Sequence, residues 1–248
     1  MLKDKYLTIS VDDGHPTDSE SAELLSKYGL KATFYIPKIN PEREVMKESD
    51  IKKIADSFEI GGHTYGHKPL CGLADNEVKK EVQDGKNWME QLLGRQVVAF
   101  CYPKGKFSAF IIRAVKDSGF KGARTCMWNL NDFPKNPFLW GFSTHAHTHS
   151  MAIQIRHAIL EKNFKGLMNF FLVQKGSVDW VNQFKFAVEY VEQNGGIAHL
   201  YFHSWEIDKL NEWKRLEDLF RYLSQMKDLK RITNGDLFKM YYDRKRIA

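Results

Sequence analysis

The sequence predicts an α/β fold, a single barrel of about seven parallel strands in the TIM-like manner, spanning residues 1–248. Three observations carry that expectation. Short apolar, β-rich runs alternate with helix-period stripes in units of roughly 25–35 residues, as parallel strands joined by right-handed crossovers require. Ionisable residues recur where strands meet loops, the rim on which barrels build their sites. No linker, low-complexity run or repeat divides the chain.

Tyr6 to Val11 reads as the first strand, and it runs into Asp12-Asp13-Gly14. Side chains alternate along a strand, so adjacent aspartates diverge unless the chain is already turning, which Gly14 permits. Two carboxylates can then serve one site in different roles; a turn former and helix cap is the alternative. Thr17 or Asp18 is placed to cap a helix through Leu24, Leu25 and Tyr28, ended by Gly29. Ala32 to Ile36 is a strand closed by Pro37, and Ile51, Ile54, Ala55 and Phe58 stripe a second helix begun by Ser49-Asp50. Glu59 to Gly62 is a short strand entering His63; Ala74 to Leu93 is a longer helix stopped by Gly94. Val97 to Tyr102 is strand again, broken by Pro103 and Gly105; a helix from Phe107 to Ser118 and a strand from Lys121 to Cys126 follow.

The middle is less regular. Asp132 to Pro137 is loop, and Met151 to Leu172 is mostly helical in pattern. Val178, Val181, Phe184, Val188 and Val191 then stripe a helix ended by Gly195-Gly196. Ile197 to Phe202 is a strand ending at His203; Leu210 to Leu223 is amphipathic helix, and Thr233-Asn234-Gly235 caps a last one.

Hydrophobic content of 43% and charged content of 27% are ordinary for a soluble globular protein. The net charge of +6 would suit a polyanion, but the cations are scattered between acids. Arg244-Lys245-Arg246 reads as a solvated tail and not as a nucleic-acid arm. No run approaches the ~18 apolar residues of a membrane span. Met1 to Lys5 lacks the apolar core of a secretion signal, and Cys71, Cys101 and Cys126 form neither a disulfide framework nor a zinc pattern. Reduced thiols in a cytoplasmic protein are expected; the oligomeric state stays open.

The strand ends collect Asp12, Asp13, His63, Tyr102-Pro103, Arg124 and His203. His63 and His67 stand four residues apart, close enough for both rings to bind one ion. Two imidazoles and a carboxylate suit zinc or another divalent transition metal and leave positions open for water and substrate. Packing histidines are the alternative for that pair taken alone.

Ser-Val-Asp-Asp-Gly at 10–14, Ala-Thr-Phe-Tyr-Ile-Pro at 32–37, Gly-Gly-His-Thr-Tyr-Gly-His at 61–67 and Phe-Cys-Tyr-Pro-Lys-Gly at 100–105 together resemble the polysaccharide deacetylases, carbohydrate esterase family four. Phe202-His203-Ser204-Trp205 resembles the family's late histidine motif, and Ile232 to Gly235 its closing segment. The resemblance implies a distorted (β/α) barrel. It implies Asp12 as general base, Asp13, His63 and His67 as ligands of one divalent ion, and His203 as general acid. The ion would be zinc, with cobalt, nickel or iron as alternatives. A backbone N–H of the 102–104 loop would receive the oxyanion. The implied substrate is an acetylated sugar or glycan, with no nucleic-acid partner.

Three departures stand out. Cys101 occupies the place of the family's arginine, and Arg124 could reach Asp12 instead; a structural arginine is the alternative. The aspartate-tryptophan motif that supports the acid histidine is not evident, although Asp132 and Trp140 fall nearby in sequence. Lys104 replaces an aromatic, which suggests a more polar substrate edge beside Tyr102 and Pro103. His145, His147 and His149 read as a second metal site, a substrate loop or surface histidines, with no other obvious ligand close by. Trp205 reads as an apolar wall for an acetyl methyl or sugar face, or as core. Three functions compete: an N-deacetylase, an allantoinase-like cyclic-amide hydrolase on the same fold, and an inactive glycan-binding domain.

Overall fold

The computed structural model describes the backbone of residues 4–247 and the side chains of residues 4–243. The Arg244-Lys245-Arg246 tail therefore lies outside the described side chains. Eight strands are present among the described residues: β1 (Lys5–Asp12), β2 (Thr33–Ile36), β3 (Glu59–Gly62), β4 (Ala99–Cys101), β5 (Gly122–Arg124), β6 (Thr144–His145), β7 (Gly196–Phe202) and β8 (Lys230–Arg231). All pair in parallel, in the order β5-β4-β3-β2-β1-β7-β6, with β8 against the lower half of β1. The sheet curls into an incomplete barrel. Between β5 and β6 no regular strand intervenes; a bridge from Arg124 to Trp140 and bonds from Trp140 to Ala123 and from Ser143 to His199 span the gap.

The crossover helices α1 (Asp18–Lys27), α2 (Glu48–Ala55), α3 (Asp75–Leu93) and α4 (Ala109–Asp117) cover the outside of β1 to β5. Then come α5 (Met151–Leu160), α6 (Phe164–Leu172), α7 (Trp180–Asn194), α8 (Ser204–Lys209), α9 (Trp213–Gln225) and α10 (Asn234–Ile247). Among the described residues, no helix is long and apolar enough to cross a membrane. The strand alternation predicted for β1 is realised. Leu7, Ile9 and Val11 join the large core shared with the helices, while Thr8 and Ser10 hydrogen-bond the buried His199 of β7 on the inner face. Asp12 continues that inner row, which fixes its direction.

Expected capping differs at α1. Thr17 makes no side-chain cap bond; its hydroxyl meets His15 and Ser204, and Asp18 accepts from the Ser204 hydroxyl. The two-residue strands β6 and β8, and the short α8, were not foreseen, because elements that brief have no period to read.

Candidate active site

β1 delivers two carboxylates by turning between them. Asp12 keeps the strand conformation, whereas Asp13 adopts φ 82° and Gly14 φ 66°, so the second side chain swings out of the alternation. A positive φ is costly for a non-glycine residue and recurs at functional sites. The Asp13 N–H stays tied to the Tyr35 carbonyl of β2 at 3.1 Å.

Asp12 is buried beside Arg124, which β5 brings from across the sheet to pair with Asp12 Oδ2. The guanidinium is fully buried, donates to Cys101 Sγ at 2.9 Å and faces the Tyr201 ring at 4.3 Å. Cys101 Sγ lies 3.6 Å from the same Asp12 oxygen. Burial pushes the Cys101 thiol well above its ordinary pKa, so it is an S–H donor toward Asp12 and not a thiolate. Asp12 Oδ1 is buried with no hydrogen-bond partner among the described residues.

Asp13 faces the two histidines from the loop after β3. His67 Nε2 is 3.0 Å and His63 Nε2 3.6 Å from Asp13 Oδ1, all three residues being buried. His63 Nδ1 donates to the Cys101 carbonyl at 2.8 Å, which leaves Nε2 with its lone pair toward Asp13. Opposed lone pairs of imidazole and carboxylate at such distances repel unless a proton or cation lies between them. The ligand atoms of Asp13, His63 and His67 lie within 4.8 Å of one another, and this N,N,O set fits one divalent ion. Burial alone would raise the Asp13 pKa; the nearby His203 is the strongest influence against it, and the carboxyl is held below the usual range.

The loop that carries these histidines is clamped by α3. Glu81 accepts from the Tyr65 N–H through its backbone carbonyl at 2.9 Å and from the Gly66 N–H through its carboxylate at 2.7 Å. Gly85, one turn on, lets the helix approach: a Cβ there would stand 2.7 Å from the Thr64 carbonyl carbon.

His203 ends β7 and points its Nε2 to 3.9 Å from Asp13 Oδ2. Its Nδ1 donates to Glu206 Oε2 at 2.6 Å, three residues on at the start of α8. The same oxygen meets His145 Nε2 at 3.0 Å, and His145 Nδ1 meets His149 Nε2 at 3.0 Å. The histidine cluster is therefore not remote from other ligands, as its sequence position suggested. His145 and His149 lie behind the candidate acid as a chain of hydrogen bonds, whereas the His147 ring only packs on both, its Nδ1 having no hydrogen-bond partner among the described residues. Burial opposes charge on His203, but Asp13 and Glu206 more than offset it and raise its pKa to about 9. Burial drives His145 down to about 4 and His149 down to about 3, so both are neutral at pH 7. A neutral His145 that donates from Nε2 to Glu206 must accept at Nδ1, which makes His149 the next donor.

Trp205 also reaches the site. Its indole N–H donates to Asp13 Oδ2 at 3.0 Å, and the Arg43 guanidinium stacks on its ring at 3.5 Å. Lys104 adopts φ 56° in the turn Pro103–Gly105 and pairs with Glu42 at 2.5 Å. The Tyr102 side chain is fully buried and donates to the Phe138 carbonyl, so it offers a substrate no ring surface. Asp132 pairs with Lys165 and Trp140 packs on His199 at 4.4 Å; neither supports His203. Glu206 occupies that place. Its signal was the i, i+3 spacing in His203-Ser-Trp-Glu206 at a helix start.

A sequence model of the family described as polysaccharide deacetylase matches residues 2–123, which include Asp12, Asp13, His63 and His67. A peptidoglycan-N-acetylmuramic acid deacetylase from Bacillus subtilis is 27% identical over 92 residues, covering 36% of this chain and 19% of that protein. A chitooligosaccharide deacetylase from Azorhizobium caulinodans is 28% identical over 128 residues, covering 50% of this chain and 58% of that protein. The chain thus spans less than two thirds of either relative. A solved pseudoenzyme of carbohydrate esterase family 4 from Bacillus anthracis has a TM-score of 0.57 at 16% identity, covering 95% of this chain and 66% of that one.

Proposed function

Because this chain belongs to the polysaccharide deacetylase family, we propose that it hydrolyses the N-acetyl amide of an acetylated amino sugar or glycan and releases acetate. The reading takes residues 1–248 as one catalytic domain. The observation that carries it is the meeting of Asp13, His63 and His67 at one rim, with Asp12 on one side and His203 on the other.

Asp13, His63 and His67 would hold a divalent ion, which we assign as zinc from the two-imidazole, one-carboxylate donor set. Such an ion supplies Lewis acidity toward water and the amide carbonyl. Asp12 is the general base: it accepts the proton of the attacking water. The buried Arg124 guanidinium and the Cys101 thiol hold its carboxylate in place, so its unbonded Oδ1 is the oxygen left to work. Arg124 thereby takes the place of the orienting arginine whose position Cys101 occupies.

In the 102–104 loop, the Tyr102 N–H is committed to the Arg124 carbonyl at 3.1 Å and Pro103 has none. The Lys104 N–H remains as the oxyanion donor, a role worth roughly 3–4 kcal/mol. His203 delivers its Nε2 proton to the departing amine, and Glu206, accepting from Nδ1, fixes its orientation and favours its charged form. Trp205, locked between Asp13 and Arg43, walls the acetyl side. Lys104 and Glu42 give the opposite edge a charged character.

Purified protein reloaded with zinc, cobalt or nickel and screened over acetylated sugars for acetate tests the reading. Acetate release supports it. Ring opening of a cyclic amide without acetate, or no hydrolysis with any metal, would replace it by one of the two competing functions.

A further inference from the structure

Large apolar side chains left in solvent gather on two neighbouring helices. Ile159, Leu160, Phe164, Met168, Phe171 and Leu172 are between 48% and 72% exposed. On α6 the last four recur at i, i+4, i+7 and i+8, one continuous face, while Gly166, Asn169 and Phe170 anchor the other side of the helix in the protein. The exposed faces of α5 and α6 join at Gly176, where Met151 Cε and Phe171 Cδ1 each lie 3.9 Å from the position a Cβ would take. Scattered apolar residues need no explanation, but a contiguous group marks an interaction surface.

Its charge selects the partner. Residues 150–178 carry Arg156, Lys162, Lys165 and Lys175 against one carboxylate, Glu161. Lys165 pairs with Asp132 at 2.5 Å, and all four cations are exposed. A second copy of the chain would return the same cations, since a two-fold interface is self-complementary, and opposed like charges disfavour it. An apolar helix face interspersed with lysine and arginine matches the headgroup boundary of a membrane bearing anionic lipid. α5 also starts two residues after His149, at the end of the hydrogen-bond chain behind His203.

We propose that α5 and α6 form a docking surface that seats the protein peripherally on an anionic phospholipid bilayer. If the deacetylase reading holds, the rim beside this surface faces sugars carried at the membrane, which narrows the substrate class to lipid-linked acetylated sugars; that consequence rests on the reading, whereas the docking does not.

Flotation of the full chain with vesicles tests it. Equimolar phosphatidylcholine–phosphatidylglycerol vesicles should carry the protein, pure phosphatidylcholine vesicles should not, and raised salt should release it. The F164S/L172S variant should bind at least about tenfold more weakly while keeping its thermal midpoint. K162E/K175E should lose binding without loss of fold. Wild-type protein that fails to float, or a folded F164S/L172S variant that floats as well as wild type, overturns the proposal. A dimer that F164S/L172S dissociates, without vesicle binding, assigns the face to a second copy; capture by polyglutamate but not vesicles assigns it to an acidic polypeptide. Either overturns it. Acetate release from soluble acetylated sugars, assayed in parallel, reports on the catalytic reading alone, and vesicle binding that depends on Phe164 and Leu172 supports the docking whatever that assay returns.

Discussion

Neighbouring aspartates with different surroundings stand at the centre of the proposed chemistry, and substitution separates them. Asp13→Ala or His67→Ala should lose bound metal together with activity, as measured by metal analysis and acetate release. Asp12→Asn should retain the metal and lose turnover by about 10²–10⁴-fold, the usual share of a general base; metal loss in that variant would mean the two roles are exchanged. Glu206→Gln should slow amide hydrolysis roughly 10–100-fold, the cost of removing a partner that orients a site histidine. It should also move the alkaline limb of the rate profile to lower pH, because the Glu206 carboxylate at Nδ1 favours the charged form of His203. A slower enzyme with an unmoved limb would reduce Glu206 to a packing role. Asp12, Asp13, His63, His67 and His203 were legible in the sequence because each ends a strand or follows one within a few residues. Glu206 left only the i, i+3 spacing as a signal, since its carboxylate matters once the strand-to-helix turn folds it under the ring. The reach of Arg124 to Asp12 was legible only as an option, because register across β5, β4, β3, β2 and β1 decides it.

Elements place those side chains by close approach. α3 runs so near the loop after β3 that Gly85 has no room for a methyl group: its Cβ would meet Thr64 carbon and oxygen at 2.7 and 2.9 Å and Tyr65 nitrogen at 2.8 Å. Backbone cannot step aside as a side-chain tip can, so Gly85→Ala must displace the helix or the loop, at a cost of about 1–3 kcal/mol. The loop is the weaker of the two, and it carries His63 and His67. Gly85→Ala should therefore weaken metal binding about tenfold or more although it touches no ligand, as titration with a competing chelator would read. Unchanged affinity with a lowered melting temperature would mean that the helix moves instead. Boundaries of the long helices followed their stripes closely, α3 and its Gly94 stop among them. The stretch from Met127 to the start of α5 resisted reading, because it closes the barrel with one isolated bridge to β5 and the two-residue β6 against β7, too little for strand alternation or helix period.

Across the whole molecule, histidines make folding sensitive to proton concentration in both directions. His199 is buried inside the barrel between Thr8 and Ser10, and its pKa is driven well below 6.5 by burial and by Arg124. His145 and His149 are driven down to about 4 and about 3. Between those values and about 6.5 the unfolded chain binds protons that the folded chain refuses, so stability falls as the pH drops through that window. His145 alone, depressed from 6.5 to about 4, accounts for at most about 3 kcal/mol. His203 acts with the opposite sign. Its folded pKa is raised to about 9, so its contribution is complete below 6.5 and is lost as the pH climbs toward 9. Urea unfolding of metal-free protein should therefore show a stability maximum near about pH 6.5 that declines on both sides. Substitution His145→Gln removes one acid-side proton acceptor while an amide can still donate to Glu206. It should flatten the acid limb between pH 6.5 and 4 and leave the alkaline limb in place. An acid limb of undiminished slope in that variant would show that His145 already carries its proton in the fold, and that the neutral bond from His149 is drawn the wrong way round.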